Sequence, residues 1–136
     1  AAVADFTQAL DINPHYFEAL VNRAGIFAER GESRRAIDDY DRALAIRPSH
    51  YLEFYGRGIV WLALENSSQA IRDFDAALRI HPQHWLSWQS RASATQRTDP
   101  AATVFALQQA YRYCDIPATR AQIAEWLRAY GAPVPE

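Results

Sequence analysis

Residues 70–84 read AIRDFDAALRIHPQH, and residues 36–50 read AIDDYDRALAIRPSH, identical at nine of fifteen positions. Residues 2–16, AVADFTQALDINPHY, are a looser third copy. The step from Pro14 to Pro48 and from Pro48 to Pro82 is 34 residues, and other columns keep it. Ala2, Ala36 and Ala70 form one, and Phe6, Tyr40 and Phe74 another. Ala9, Ala43 and Ala77 are followed by Leu10, Leu44 and Leu78, then Ile12, Ile46 and Ile80. A fixed period of this size marks a stacked architecture in which each unit buries its apolar face on its neighbours. Within a copy, Ile37, Tyr40 and Leu44 recur at helical spacing. The proline ends each helix, because it cannot continue one and biases the preceding residue away from helical geometry.

The segments between the copies are helical too. Leu20, Ala24 and Phe27 share one face, as do Phe54, Gly58 and Trp61. Polar breaks follow at Gly31-Glu32-Ser33 and Glu65-Asn66-Ser67-Ser68, with Ser33 and Ser67 as expected N-caps. Each unit is therefore a pair of antiparallel helices. Helices are predicted near 1–12, 16–30, 33–46, 50–64, 67–80, 84–97, 100–113 and 118–130. Small residues recur where helices would cross: Ala24, Gly58 and Ala92 on first helices, Ala36, Ala70, Ala43 and Ala77 on second helices. Close approach needs small side chains at the crossing.

The unit resembles the tetratricopeptide repeat (TPR), whose pattern of large, small, aromatic, Ala, aromatic and Pro positions is filled here by two successive units. Phe54, Arg57-Gly58, Trp61, Ala70, Phe74 and Pro82 fill one; Leu20, Arg23-Ala24, Phe27, Ala36, Tyr40 and Pro48 fill the unit before. The resemblance covers residues 1 to about 114. It departs from the family at Arg23, Arg57 and Arg91, where the pattern has Leu. It implies an all-α, right-handed α-solenoid of about three units, a degenerate fourth and a capping helix. The boundaries are 1–14 for the second helix of a truncated unit, then 17–50, 51–84, a degenerate 85–116, and 117–136 for cap and tail.

The arginine column needs partners, because a buried guanidinium is costly alone. Asp5, Asp39 and Asp73 keep the same period. Pairing within units gives Arg23–Asp39 and Arg57–Asp73 and leaves Asp5 and Arg91 single. Pairing across boundaries gives Asp5–Arg23, Asp39–Arg57 and Asp73–Arg91 and leaves none. The second is the favoured reading, and in both the ladder is structural.

The array changes toward its ends. Residues 1–12 would be a second helix without its first, exposing Phe6 and Leu10 to a missing unit or a second copy. At the other end, Thr95 stands where Phe27 and Trp61 stood, and Gln89–Gln96 is polar. Asp99-Pro100 reads as an N-cap with Pro at the first helical position. The following helix has lost one residue from the period. Thr119 and Gln122 suggest a capping box, Ile123, Trp126, Leu127 and Tyr130 one apolar face, and Gly131 a stop. Terminal repeats need such a solvating cap.

Composition restricts function. The net charge is −2, with 14 Arg and no Lys, so no basic field attracts nucleic acid. The all-Arg usage suggests a GC-rich, bacterial genome. One Cys excludes an intrachain disulfide, and no apolar run approaches a membrane helix. The opening inside a repeat without Met suggests that the native N-terminus is missing. The cytoplasm is the favoured compartment, with a single Cys giving no sign of an oxidising one, and the missing N-terminus leaves the periplasm open.

No phosphate loop or nucleophile elbow is present. His81 and His84 alone make an incomplete zinc site, and Cys114 reads as a quiet, partly buried thiol. Trp61 and Trp88 occupy packing columns, whereas Trp85 and Trp126 are candidates for exposure. The expectation is a non-catalytic protein-interaction scaffold without cofactor or metal, nucleic acid or membrane insertion. The resemblance places a peptide or helix of the partner on a concave wall of first helices. The residues offered are Glu18, Val21, Asn22, Leu52, Tyr55, Ile59, Leu62 and Gln89, with Leu52, Tyr55, Ile59 and Leu62 as its apolar centre. Some of them could instead bury against adjacent helices. Relatives that clamp a terminal carboxylate use Lys, Arg and Asn, of which this wall offers Asn22 alone. The alternatives are a structural or self-association module, with a homodimer through residues 1–12, and an RNA-binding helical repeat, disfavoured by charge and period.

Overall fold

The computed structural model describes residues 2–136. They form α1 (Ala2–Ile12), α2 (Phe17–Glu29), α3 (Ser33–Ile46), α4 (Tyr51–Ala63), α5 (Ser67–Ile80), α6 (Trp85–Thr95), α7 (Pro100–Tyr113) and α8 (Pro117–Ala129). Each helix packs on the next in chain order, so the chain is an all-α helical-repeat solenoid.

The repeating columns are the interior. Ala24, Ala36, Ala43, Ala70 and Ala77 are wholly buried, beside Leu20 and Phe74. Gly58 shows why one crossing requires glycine. A Cβ there would lie 2.6 Å from Phe74 Cε1, with the ring fixed in the core.

The one-residue deletion in the fourth second helix keeps this register. Thr103, Ala106, Leu107 and Ala110 of α7 are buried as Ala36, Asp39, Tyr40 and Ala43 are in α3. Thr95 and Thr103 replace a large-to-small contact with a buried hydroxyl pair, Oγ1 to Oγ1 at 2.8 Å. One proton makes that bond and the other goes to a carbonyl: with Thr95 donating to Thr103, Thr103 Oγ1 donates to Asp99 O at 3.0 Å. Neither buried hydroxyl is left without a partner.

Helix ends correct three expectations. Ser33 and Ser67 are first helical residues, and the N-caps are Glu32 and Asn66. Asn66 accepts the Gln69 amide at 3.3 Å. Thr119 does not open α8, because Pro117, with its preset φ, starts the helix two residues earlier. Asp99 caps α7 as expected, its Oδ1 accepting from Ala102 N at 3.1 Å, with Pro100 following. After α2 and α8 the chain reverses through Gly31 and Gly131 at φ +75° and +68°. After α4 that left-handed place is held by Glu65 at φ 59°.

At the N-terminal end α1 has one helix neighbour among the described residues, α2, which already covers part of its apolar side. Leu10 is buried with Phe17, Leu20 and Ala43, and Phe6 packs against the same cluster. The apolar face of α1 is thus turned onto α2, with Leu10 buried and Phe6 half-buried. The outward side carries Ala4, Asp5, Gln8 and Asp11, with Ile12 82% exposed at its end. Residue 1 of the dimer segment proposed from sequence lies outside the described residues.

Candidate functional site

The arginine column is the most ordered polar feature. Arg23 donates from Nε and Nη2 to both oxygens of Asp39, each at 2.7 Å. Arg57 does the same to Asp73 at 2.9 and 2.7 Å. Pairing is therefore within units, and the cross-boundary Asp39–Arg57, Asp73–Arg91 and Asp5–Arg23 pairs are not made. The boundary is still bridged, by a column two residues later. The remaining Nη1 of Arg57 reaches Asp41 at 2.7 Å, and that of Arg23 reaches Thr7 Oγ1 at 3.2 Å. Arg91 bonds Asp75 through Nε at 2.7 Å. Its own unit offers Ala106 where Asp39 and Asp73 stood, so it has no acid to take as a fork. One guanidinium thus ties three helices, α3, α4 and α5 for Arg57. The hydrogen bonds to Asp73 raise its pKa further above the ordinary value, with Asp41 adding to the effect. Asp5 is exposed and outside these pairs.

The first helices place the proposed partner residues unevenly. Leu52 and Ile59 of α4 are 44% and 37% exposed, and Leu86 of α6 is 37% exposed. Tyr55 and Leu62 turn inward against the cluster of Ala70, Phe74 and Ala94. The Tyr55 ring meets His84 edge-on at 5.0 Å between centroids. The four-residue apolar patch expected from sequence is therefore split, because α4's neighbours α5 and α6 cover one side of it. Val21 packs beside Leu20 and Phe17, while Asn22 stays exposed. Glu18 is exposed and pairs with Arg47 at 3.4 Å, whose guanidinium lies 4.2 Å from the centre of the Phe17 ring. Gln89 is half-buried and faces a cavity with Ser93 and Gln96.

A row of rings follows the turns. Tyr51 packs edge-on against His81 and His84, at 4.7 and 5.0 Å. The two imidazoles, 6.0 Å apart, are thus engaged with tyrosine. Burial, and then the neighbouring His81, hold the His84 pKa below the usual histidine value. Cys114 is buried, its thiol donating to Ile116 O at 3.7 Å. Trp88 sends its indole N–H to Pro82 O at 2.8 Å. Trp85 is half-buried, and Trp126 is 39% exposed.

Sequence reasoning missed Glu53. It lies in the column of Ala19 and Ser87 and is buried. Its carboxylate bonds the His50 imidazole one turn back, as Ser87 Oγ bonds His84 at 2.6 Å. The repeated three-residue spacing from histidine was the available signal. Burial and Glu53 together raise the Tyr40 pKa.

Among the described residues, no helix is long and apolar enough to cross a membrane. No group of three or more potential metal-ligating side chains comes together among them.

No family model and no curated protein matches the chain. Solved structures do. A structure of MamA residues 41 to the end, from Desulfovibrio magneticus RS-1, is similar with a TM-score of 0.83 at 18% identity, over 95% of this chain and 72% of that one. Another MamA structure gives 0.76 at 11% identity, over 95% and 76%. The first TPR domain of Spaghetti (RPAP3), bound to an HSP90 peptide, gives 0.72 at 14% identity, over 82% and 93%. At such identities the likeness is one of fold, and by fold the chain is a TPR-like helical repeat.

Proposed function

We propose that the chain is a non-catalytic scaffold that binds a peptide or helix of a partner protein along the wall formed by α2, α4 and α6. The observation that carries this reading is the apolar exposure of Leu52, Ile59 and Leu86 on consecutive first helices. Exposed apolar surface of this kind, set among polar groups such as Asn22 and Glu18, suits an amphipathic segment. The wall's curvature supports it. First helices approach one another, α2 to α4 and α4 to α6, while second helices meet only their chain neighbours. Closer spacing on the first-helix side bends that side inward. The RPAP3 domain of the same fold holds a peptide.

The test is capture of partners by the wild-type chain and by a Leu52→Asp/Ile59→Asp variant. Both positions are exposed, so the helical circular dichroism should be unchanged. The double variant should lose the partners the wild type retains. Retention of every partner by a folded variant would remove the reading. Tyr55 is unsuitable for this experiment, since its ring contributes to the packing of α4 on Phe74.

A further inference from the structure

α8 does not continue the wall. It occupies the place of a first helix, yet it approaches only α7, whereas α4 approaches α2 and α6. The space left between α6 and α8 is a cavity of about 250 Å³. Gln89 and Ser93 of α6 and Gln96 just after it line one side, Leu107 of α7 adjoins them, and Trp126 of α8 and Tyr130 at its C-terminal cap complete the lining. The two aromatic residues are one helical turn apart and 39% and 43% exposed, so both rings border solvent and cavity together.

The lining decides the guest. No charged side chain is part of it, so an ionised group entering would shed water without a counter-charge, which is costly. The volume accommodates one large side chain. Thr103, also at the wall, already shares its hydroxyl with Thr95 and Asp99 O. The amides of Gln89 and Gln96 remain to serve a guest. An aliphatic guest would dehydrate those amides without pairing them, a loss comparable to a missing hydrogen bond. A small amide guest would satisfy them but leave the Trp126 and Tyr130 rings unused. An aromatic guest with one polar atom uses both, packing edge-to-face or offset on the rings while its hydroxyl or indole N–H meets an amide.

We propose that this cavity is a binding subsite for a tyrosine or tryptophan side chain presented by a peptide partner. The subsite rests on the reading of the first helices as the partner wall, and it lies at that wall's C-terminal end.

The probes are N-acetyl-tyrosinamide and N-acetyl-tryptophanamide, with N-acetyl-leucinamide as the control, titrated into the ¹⁵N-labelled chain and followed by NMR. A fragment of that size should bind with a dissociation constant on the order of 1 mM. Shifts should concentrate at Gln89, Ser93, Gln96, Tyr130 and the Trp126 indole N–H, and leucinamide should bind at least about tenfold more weakly. Ser93→Phe fills the cavity from an exposed position and should abolish the response. The Leu52→Asp/Ile59→Asp variant should keep it. Aromatic probes that bind Ser93→Phe as well as wild type would overturn the subsite. So would shifts lying elsewhere, or an absent response in the folded wild type. None of those results touches the wall, which stands or falls on partner capture. If the wall variant keeps its partners while the probes behave as expected, the wall reading fails and the subsite falls with it as a peptide subsite, the cavity keeping only its selectivity for an aromatic side chain.

Discussion

Arg57 should be worth far more than an ordinary surface arginine, and its two acids should contribute unequally. Its fork to Asp73 is bidentate at 2.9 and 2.7 Å, and that carboxylate side chain is 6% exposed. The bond to Asp41 is as short, 2.7 Å, but Asp41 is 53% exposed. Replacing Arg57 by Met keeps the aliphatic bulk against its neighbours and leaves Asp73 buried and uncompensated. Breaking a buried pair on one side costs about 3–5 kcal/mol. Arg57 itself is 22% exposed, so water can reach part of the site, and ~3 kcal/mol is the expected loss. Asp41→Ala should cost only ~0.2–1 kcal/mol, since exposed pairs gain little in high dielectric. Urea unfolding followed by far-ultraviolet circular dichroism gives both values. A double-mutant cycle should assign a coupling of ~2 kcal/mol or more to Arg57–Asp73 and below ~1 kcal/mol to Arg57–Asp41. Equal couplings would mean that the inter-unit bond carries the rung and that burial does not set its strength. An Arg57→Met variant within ~1 kcal/mol of wild type would refute the rung altogether.

Three further outcomes follow from single positions. Gly58→Ala should destabilise by about 1–3 kcal/mol, because the new Cβ would meet the buried Phe74 ring at 2.6 Å and overpack the crossing; an unchanged unfolding midpoint would show that the ring can move aside. Glu65→Gly should stabilise by roughly 1 kcal/mol, since φ 59° burdens a side chain and not glycine; a lower melting temperature would contradict this. Because the folded-state pKa of His84 lies below the unfolded 6.5, the unfolded chain binds more protons there. The stability tied to neutral His84 is complete above about pH 6.5 and is lost as pH falls through that value toward the folded-state pKa. His84→Asn should flatten that part of a melting-temperature series taken from about pH 8 to 5, and identical slopes would exclude the effect.

The architecture was legible because one signal was repeated. The prolines at 14, 48 and 82 and the buried alanine columns fix helix ends and helix crossings at once. Pairing along the arginine column was not legible. Asp39 and Asp41 are both acidic and two residues apart, which on a helix turns them roughly 200° from each other, toward different neighbours. Counting unpaired residues favoured a ladder across boundaries. The guanidinium instead uses its fork within the unit and its remaining nitrogen across the boundary, so two columns are needed and Asp5 belongs to neither role. Likewise, a serine late in a polar break looks like a cap, but the cap side chain must come from the residue before the helix. Asn66 holds that place.

The proposed partner wall was legible as a list and not as a surface. Leu52, Tyr55, Ile59 and Leu62 share the outer half of one helix, and only the neighbouring α5 and α6 decide which of them stay out. Faithful repeats consume their own side chains: Tyr55 rests on Phe74, and Arg57 is saturated by two acids. Where the repeat decays, the same columns release groups. Ala106 leaves Arg91 with a single carboxylate, and Thr95 withdraws an aromatic ring from the α6–α7 contact. α8, started early by Pro117 and packed on α7 alone, leaves a neutral, aromatic-bordered cavity beside α6. A uniform solenoid gives every unit the same surface and hence little means of telling partners apart. The departures at the C-terminal end supply a chemically distinct position at one end of the proposed wall, which would fix both the direction and the register of a chain bound there.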